Sequence, residues 1–196
     1  MTFDAEHPDR RWCPPDNAAR ILDRLASAGA RATFFVQGRW AEAYPDLAAR
    51  IADEGHLVGS HSHFHAEMPL LSDAGLADDL AAARAAIEAT TGRDPRPWFR
   101  CPWGAGSDDP RVLRAVDAGG YRHVGWHVAA DDWEPDRTGA RIAADVLRGI
   151  DDRGDGTVVL LHTWPGGTAE ALPSILDELR ERRLGFITID DLPELP

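Results

Sequence analysis

Cysteine is scarce in this chain: only Cys13 and Cys101 occur among 196 residues. Two cysteines cannot form the disulfide framework of a small secreted domain, and the sequence does not decide whether they pair. Long apolar runs are also missing, because no stretch approaches the ~20 residues that cross a bilayer as a helix. The chain opens directly on Met1-Thr2-Phe3-Asp4, which predicts no signal peptide and leaves the cellular location open.

Positive charge is in deficit, since 21 Lys and Arg residues stand against 33 Asp and Glu residues, giving a formal net charge of −12. A surface of this charge repels phosphate backbones, so we expect no nucleic-acid partner. The share of hydrophobic residues, 43%, and of charged residues, 28%, is typical of a globular chain. We therefore expect one domain over residues 1–196, with a sizeable core, and a monomer.

Short apolar runs alternate with amphipathic stretches along the chain, which predicts seven strands and six helices. The predicted strands are 2–3, 32–36, 57–58, 98–99, 121–126, 157–161 and 186–189. The predicted helices are 21–28, 41–53, 73–91, 110–118, 142–150 and 172–179. This alternation predicts an α/β fold with about seven parallel strands. Continuous apolar strands suit a sheet that is covered on both faces.

Chemically active side chains come shortly after several of these strands: His61, Arg100, Asp132 and His162. In a (β/α) barrel such positions share one rim, whereas an open doubly wound sheet brings together only the few at its crevice. Both architectures fit the alternation. The placement of the polar residues favours a distorted or incomplete (β/α) TIM-like barrel.

The most informative motif is a run of three histidines within five residues, His61-Ser62-His63-Phe64-His65. His61 and His65 are four residues apart, so one helical turn or a tight loop can aim both imidazoles at one point. Proteins hold a divalent cation such as zinc in this way. Taken alone, a polar surface loop would explain the same run.

Two acids near the N-terminus could share a site with these histidines. Residues i and i+2 of a strand point to the same side, so Asp4 and Glu6 do so if the extended backbone reaches Glu6. One carboxylate could then ligate a metal while the other acts as a base. A solvated acidic N-terminus is the alternative.

Arg100 and His162 each admit a functional and a structural interpretation. Arg100 is followed by Pro102 and Gly104 and suits a bidentate clamp on a carboxylate, although a surface arginine beside a turn would look the same. His162 closes an apolar strand and is either a general acid or a hydrogen-bonded core residue.

Tryptophans recur in the predicted rim loops, at Trp103, Trp126, Trp133 and Trp164. Tryptophan is more often a core residue, but its indole also stacks on the apolar face of a sugar ring. Four of them in the rim loops favour a carbohydrate site.

Taken in order, these motifs resemble the five motifs of the NodB-like polysaccharide deacetylases, carbohydrate esterase family 4. That family shows T-F-D-D, H-S/T-x-x-H, R-x-P-Y-G, D-x-x-D-W and L-x-H. This chain offers Thr2-Phe3-Asp4-Ala5, His61-Ser62-His63-Phe64-His65, Arg100-Cys101-Pro102-Trp103-Gly104, Ala129-Ala130-Asp131-Asp132-Trp133 and Leu160-Leu161-His162. The resemblance covers nearly the whole chain and implies a distorted (β/α) barrel.

The resemblance implies a metal centre in which His61 and His65 are two ligands. The family's acidic ligand falls on Ala5, which cannot bind a metal. We assign the third position to Glu6, because it points to the same side of the strand as Asp4 and because some relatives of the family use an acid one residue later. Asp4, His7 or water are the alternatives. The ion is expected to be Zn²⁺, with Co²⁺ as an alternative.

The resemblance also implies catalytic roles. Asp4 matches the catalytic base, Arg100 the residue that orients it, and the backbone N–H of Trp103 the oxyanion donor. His162 matches the general acid, and Asp132 the acid that tunes it. The substrate-binding residues implied are Trp103, Trp133 and Trp164, while the first acid of the fourth motif is Ala129 here.

The function implied is a metal-dependent hydrolase that removes N-acetyl groups from an N-acetylglucosamine-containing glycan, chitin-like or peptidoglycan, and releases acetate. Members of the family are commonly secreted or at the cell surface. The alternatives are an O-acetyl esterase on xylan, a small-amide hydrolase of the same fold, a decayed relative that only binds glycans, and a plain α/β domain whose histidines coincide by chance.

Overall fold

A computed structural model of the chain describes residues 1–7 and 13–192. Its strands are β1 (Thr2–Ala5), β2 (Thr33–Val36), β3 (Leu57–Ser60), β4 (Trp98–Phe99), β5 (Arg122–His123), β6 (Val128–Ala129) and β7 (Val159–His162). Its α-helices are α1 (Asn17–Ala28), α2 (Gly38–Ala43), α3 (Pro45–Asp53), α4 (Asp73–Thr91), α5 (Pro110–Ala118), α6 (Gly139–Arg153) and α7 (Gly166–Glu181). The strands belong to a seven-stranded sheet in the order β5-β4-β3-β2-β1-β7-β6.

The chain divides into two compact units. The terminal unit comprises the described parts of Met1–Asp4, Pro8–Thr33 and Trp126–Pro196, and the central unit comprises Ala5–His7 and Phe34–Gly125. The prediction of one domain over residues 1–196 stays a prediction. Among the described residues, no helix combines the length and the apolar character needed to cross a membrane.

In the terminal unit, β7 pairs in parallel with both β1 and β6. Helix α7 packs against α1 and α6. The apolar residues that recur at helical spacing face this packing: Ile21, Leu22 and Leu25 of α1, Ile142 and Val146 of α6, and Leu172, Ile175, Leu176 and Leu179 of α7 are all buried. Their burial drives the association of the three helices.

In the central unit, β4 pairs in parallel with β3 and β5. Helix α4 packs against α2, α3 and α5. A core cluster in this unit is formed by Met68, Leu76, Leu80, Phe99, Cys101, Val112, Val116 and Tyr121. Burial in this cluster raises the pKa of the Cys101 thiol to about 12, which keeps it protonated.

Two helices end where the sequence predicts. Gly29 after α1 has φ 61° and Gly92 after α4 has φ 65°, both in the left-handed region that glycine adopts without a Cβ clash. Ser72 begins α4 by accepting a hydrogen bond from the Gly75 N–H. Local capping therefore accounts for the bounds of α4.

The predicted strand at 186–189 is wrong, because residues 186–188 have no regular secondary structure and Ile189 begins a short 3₁₀ turn, Ile189–Asp191. The Ile189 N–H is satisfied instead by the Thr33 hydroxyl, 3.0 Å away. The predicted helix at 41–53 is two helices, because Pro45 has no N–H to continue α2. The two-residue strand β6 is too short to show a period and was not predicted.

Candidate functional site

The three side chains predicted to bind a metal converge in the central unit. Glu6 directly follows β1, His61 directly follows β3, and His65 lies in the turn after it. The Nε2 atoms of His61 and His65 are 3.2 Å apart, and Oε2 of Glu6 lies 3.4 Å from His61 Nε2 and contacts His65 Nε2. Ligand atoms ~2.1 Å from a tetrahedral zinc ion are about 3.4 Å apart. The spacing of these nitrogen and oxygen atoms therefore fits one such ion.

The protonation of His61 also suits a ligand. Its Nδ1 lies 2.9 Å from the carbonyl oxygen of Arg100, which can only accept a hydrogen bond. Nδ1 therefore carries the ring proton, and in the neutral ring the lone pair is on Nε2, the atom that faces His65 and Glu6. Metal-binding histidines are commonly oriented by such a bond to a backbone carbonyl.

Burial raises the cost of leaving this group of atoms without a cation. Glu6 is 7% exposed and His61 is 1% exposed. A carboxylate removed from water is expensive unless a positive charge or hydrogen bonds compensate it. A divalent ion bound by one carboxylate and two imidazoles would supply that charge, so the residues present fit the metal that the resemblance implies.

The turn that carries His65 has an unusual backbone. Ser62 has φ 61° and His65 has φ 59°, in the left-handed region that residues with a Cβ rarely adopt. The Ser62 hydroxyl accepts a hydrogen bond from the His65 N–H at 2.9 Å, and the Ser62 carbonyl accepts one from the Gly38 N–H at 2.9 Å. These bonds hold the two histidines on one side of a tight turn rather than on a helix.

Asp79 on α4 is a further group at this turn, and the sequence reasoning missed it. Its Oδ1 accepts from the His63 N–H at 2.9 Å and its Oδ2 from the Phe64 N–H at 3.1 Å. The sequence does contain a signal: Asp79 lies three residues after Leu76 and four before Ala83, so this acid is on the buried face of an amphipathic helix.

Arg100 is completely buried, at 0% exposed, so a surface arginine beside a turn is the wrong interpretation. Its guanidinium donates to the carbonyl oxygens of Val124 at 3.2 Å and Gly125 at 2.9 Å, and lies over the Phe35 ring. Its role towards the base stays a prediction. Burial, with the nearby charges of Arg100 and His61, lowers the pKa of His123 from 6.5 to about 4.

Two exposed aromatic rings lie beside the predicted ligand His65. Trp103 is 68% exposed, has φ 60°, and its indole N–H donates to the His65 carbonyl oxygen at 3.3 Å. The rings of Trp103 and His65 meet edge-on with centroids 4.7 Å apart. Phe64, the neighbour of His65, is also exposed. Exposed aromatic surface beside a polar centre suits the apolar face of a sugar.

The remaining predicted catalytic residues lie in the terminal unit. Asp4 and His162 are register partners on the parallel strands β1 and β7. The Thr163 N–H, one residue on, donates to the Asp4 carbonyl oxygen at 3.1 Å. The proposed base and the proposed acid therefore occupy matched positions on neighbouring strands.

Asp132 holds His162 by two hydrogen bonds. Its Oδ1 lies 2.8 Å from His162 Nδ1, and its Oδ2 accepts from the His162 backbone N–H at 2.7 Å. The Thr168 hydroxyl donates to the same Oδ2 at 2.6 Å. Thr168 was not predicted, although its position at the start of α7, close behind the histidine, is a usable signal. Because Nδ1 faces Asp132, the general-acid role predicted for His162 would use Nε2.

Two predicted substrate-binding tryptophans contact the His162 ring. Trp133 meets it edge-on at 5.4 Å between centroids, and Trp164 lies at 5.8 Å. Trp164 is buried and Trp133 is partly exposed. Trp164 therefore offers a ligand much less surface than Trp103 does.

Known proteins are similar to this chain in sequence and in structure. A family model described as polysaccharide deacetylase matches residues 1–124. The chain belongs to the polysaccharide deacetylase family. The peptidoglycan-N-acetylmuramic acid deacetylase PdaA of Bacillus subtilis is 32% identical to it over 174 residues, which cover 88% of this chain. This polysaccharide deacetylase chain spans only 65% of the length of that relative.

Solved structures of carbohydrate esterase family 4 are also similar. A mutant of a Bacillus anthracis pseudoenzyme, with restored enzymatic activity, has a TM-score of 0.85 and 30% identity, covering 98% of this chain and 66% of its own. A family 4 acetyl xylan esterase from Clostridium thermocellum, in complex with a cobalt ion, has a TM-score of 0.83 and 31% identity, covering 97% and 87%. The predicted fold class, an incomplete (β/α) barrel, is confirmed by these likenesses.

Proposed function

We propose that this chain is a metal-dependent hydrolase that removes N-acetyl groups from an N-acetylglucosamine-containing glycan, chitin-like or peptidoglycan, and releases acetate. The observation that carries the proposal is the convergence of Glu6, His61 and His65 in a member of the polysaccharide deacetylase family. Ala5 stands where the resemblance implies the acidic ligand, and Glu6 takes over that function one residue later.

Glu6 and the Nε2 atoms of both histidines would hold one divalent ion, with Zn²⁺ preferred and Co²⁺ as the alternative. A nitrogen-rich set with one carboxylate suits zinc. The cobalt ion in the acetyl xylan esterase supports Co²⁺ as the alternative. When bound, the ion supplies Lewis acidity, which lowers the pKa of a coordinated water and polarises the acetyl carbonyl.

The chain's own residues complete the attack on the acetyl group. Asp4 accepts the proton of the attacking water, and Arg100 orients that carboxylate. The backbone N–H of Trp103 donates to the carbonyl oxygen as its negative charge develops. Loss of one such donor costs ~3 kcal/mol of transition-state stabilisation.

His162 protonates the leaving nitrogen through Nε2 while Asp132 holds Nδ1. An unprotonated amine anion is a very poor leaving group, so this proton is required for the C–N bond to break. The water oxygen ends in acetate and the nitrogen remains on the sugar as a free amine. Trp103 is expected to bind the sugar ring by stacking, with Trp133 and Trp164 acting next to His162.

An O-acetyl esterase on xylan is the second candidate, because one similar solved structure is an acetyl xylan esterase. The same residues would serve, but the leaving alcohol needs less help from His162 than an amine does. Acetate release from N-acetylglucosamine oligomers, compared with release from acetylated xylan, separates the two. Retention of activity by His162→Gln on xylan alone would favour the esterase.

A decayed, glycan-binding protein is the third candidate. Another similar structure belongs to a pseudoenzyme, and this chain has Ala5 and Ala129 where the resemblance implies acids. A decayed protein and an active hydrolase differ in metal content, since a decayed centre should purify largely without metal. Metal analysis of the purified protein therefore separates this candidate from the two hydrolases.

The proposal is tested by measuring zinc content and acetate release on the same preparations. We expect His61→Ala and His65→Ala to lose both together, and Glu6→Gln to lose most of the metal. Glu67→Gln removes the same charge at an exposed position and should change neither. Full acetate release after chelation would contradict the proposal. Full metal affinity in Glu6→Gln would move the third position to Asp4, His7 or water.

A further inference from the structure

We propose that Asp79 is a positioning residue of the metal centre. Its carboxylate, presented by α4, fixes the turn that carries His65 and so sets the affinity of the centre for a divalent cation. This inference rests on the metal site of the proposed function and adds to it a residue outside the five motifs.

In the part of the chain that the structure describes, both side-chain hydrogen bonds of Asp79 go to this turn. Both carboxylate oxygens are used, one on the N–H of His63 at 2.9 Å and the other on the N–H of Phe64 at 3.1 Å. The side chain is buried, at 3% exposed. A buried carboxylate is tolerated only where hydrogen bonds replace its water, and here consecutive backbone amides of the turn do so.

The turn needs such a restraint. Its first and last left-handed residues, Ser62 and His65, flank the two amides that Asp79 binds. Left-handed φ is unfavourable for any residue with a Cβ, so the segment would relax towards ordinary φ values if it were released. Relaxation would move the His65 imidazole away from Glu6 and His61, because its direction depends on that backbone.

Helix α4 supplies the rigid support. It is 19 residues long, and Leu76, Leu80 and Ala83, around Asp79, are buried against the rest of the central unit. The carboxylate therefore reaches the turn from a fixed backbone. This is the arrangement by which outer groups pre-organise metal ligands.

The alternative is that Asp79 only stabilises the fold. The two roles predict changes in different measured quantities. A purely structural residue changes the unfolding transition and leaves the zinc affinity of the folded protein unchanged. A positioning residue changes the zinc affinity of the folded protein itself.

The test compares Asp79→Asn with Asp78→Asn. Both variants lose one negative charge from adjacent positions of α4, but Asp78 is exposed. The asparagine at 79 keeps one acceptor oxygen and places an N–H₂ group against a backbone N–H. Zinc dissociation constants are measured by competition with a chromophoric chelator, and the cobalt-loaded proteins are compared by their visible absorption.

We expect Asp79→Asn to weaken zinc binding about 10–100-fold, the range for outer-shell partners of metal ligands, and to change the cobalt spectrum. Asp78→Asn should bind zinc like the wild type. Equal zinc affinity in Asp79→Asn and the wild type would overturn the inference, even if the variant melts earlier. If the wild type itself binds no zinc, the proposed metal site fails first, so the two failures are distinguishable.

If Asp79→Asn does not fold, Asp79→Glu provides a second test of the inference. It retains the carboxylate on a longer stem, so we expect the turn to form with a displaced His65 and zinc binding weakened by several-fold. Wild-type zinc affinity and an unchanged cobalt spectrum in Asp79→Glu would overturn the inference.

Discussion

Replacing Thr168 by valine should weaken both the stability of the chain and the proposed proton transfer. The hydroxyl donates to Oδ2 of Asp132 at 2.6 Å, and Asp132 is only 1% exposed. Valine has nearly the same shape, so the packing of α7 is preserved while the donor is lost. The variant thus isolates one charge-assisted hydrogen bond.

The size of the effect follows from that geometry. A hydrogen bond to a buried charged group contributes about 1.5–3 kcal/mol, so the free energy of unfolding should fall by about 2 kcal/mol. For a chain of this length, 1 kcal/mol corresponds to about 2–4 °C in Tm, which gives a decrease of roughly 4–8 °C. Since Asp132 also holds His162, we expect kcat to fall about tenfold, equivalent to about 1.4 kcal/mol, with little change in KM.

Urea unfolding and acetate-release assays on Thr168→Val and Thr168→Ser provide the measurement. Serine keeps the hydroxyl and loses only a methyl group, so Thr168→Ser should retain kcat near the wild-type value. The reasoning is refuted if Thr168→Val is as stable as the wild type. It is also refuted if serine and valine lower kcat equally, because the hydroxyl would then be irrelevant.

Three further results are expected. Gly38→Ala should lower the free energy of unfolding by about 1–3 kcal/mol, because the new Cβ would lie 2.4 Å from His63 Nδ1. Gly185→Ala is the control and should not lower it, because nothing lies within 4 Å of a Cβ there. Equal unfolding midpoints for the two variants would contradict this. The pKa of His123 is 6.5 in the unfolded chain and about 4 in the folded chain, so the unfolded chain takes up the proton first as the pH falls. The free energy of unfolding should therefore fall by up to about 3 kcal/mol between pH 6.5 and pH 4. His123→Asn should flatten this dependence of stability on pH. Trp103→Ala should raise KM for N-acetylglucosamine oligomers about fivefold, or ~1 kcal/mol, because the sugar ring loses its stacking partner, while Tm stays unchanged. An unchanged KM would exclude stacking.

Much of the fold could be predicted because apolar periodicity and capping are local signals. Helix α4 has the predicted bounds, since Ser72 and Gly92 mark its ends in the sequence itself. The pairing of strands depends on residues that are far apart in the sequence, and this explains the errors in the predicted strands. Residues 186–189 have the apolar pattern of a strand, but they form none, and the Ile189 N–H bonds to the Thr33 side chain. Strand β6 has only two residues and so shows no pattern.

The candidate site was predicted from motifs rather than from periodicity. His61 and His65 could be paired from their spacing, and Glu6 from the missing acid at Ala5; the structure places the three together, and their role as ligands stays a prediction. Asp79 and Thr168 could not be found in this way. They act through hydrogen bonds to residues 15 to 36 positions away, which only the folded chain brings close.

The central claim is tested most directly by anomalous diffraction at the zinc edge from crystals grown with Zn²⁺. We predict one anomalous peak about 2.0–2.2 Å from a carboxylate oxygen of Glu6 and from Nε2 of both His61 and His65. A peak that lacks Glu6 as a ligand would contradict the assignment of the third position. An ion bound elsewhere, with both imidazoles uncoordinated, would contradict the account as a whole.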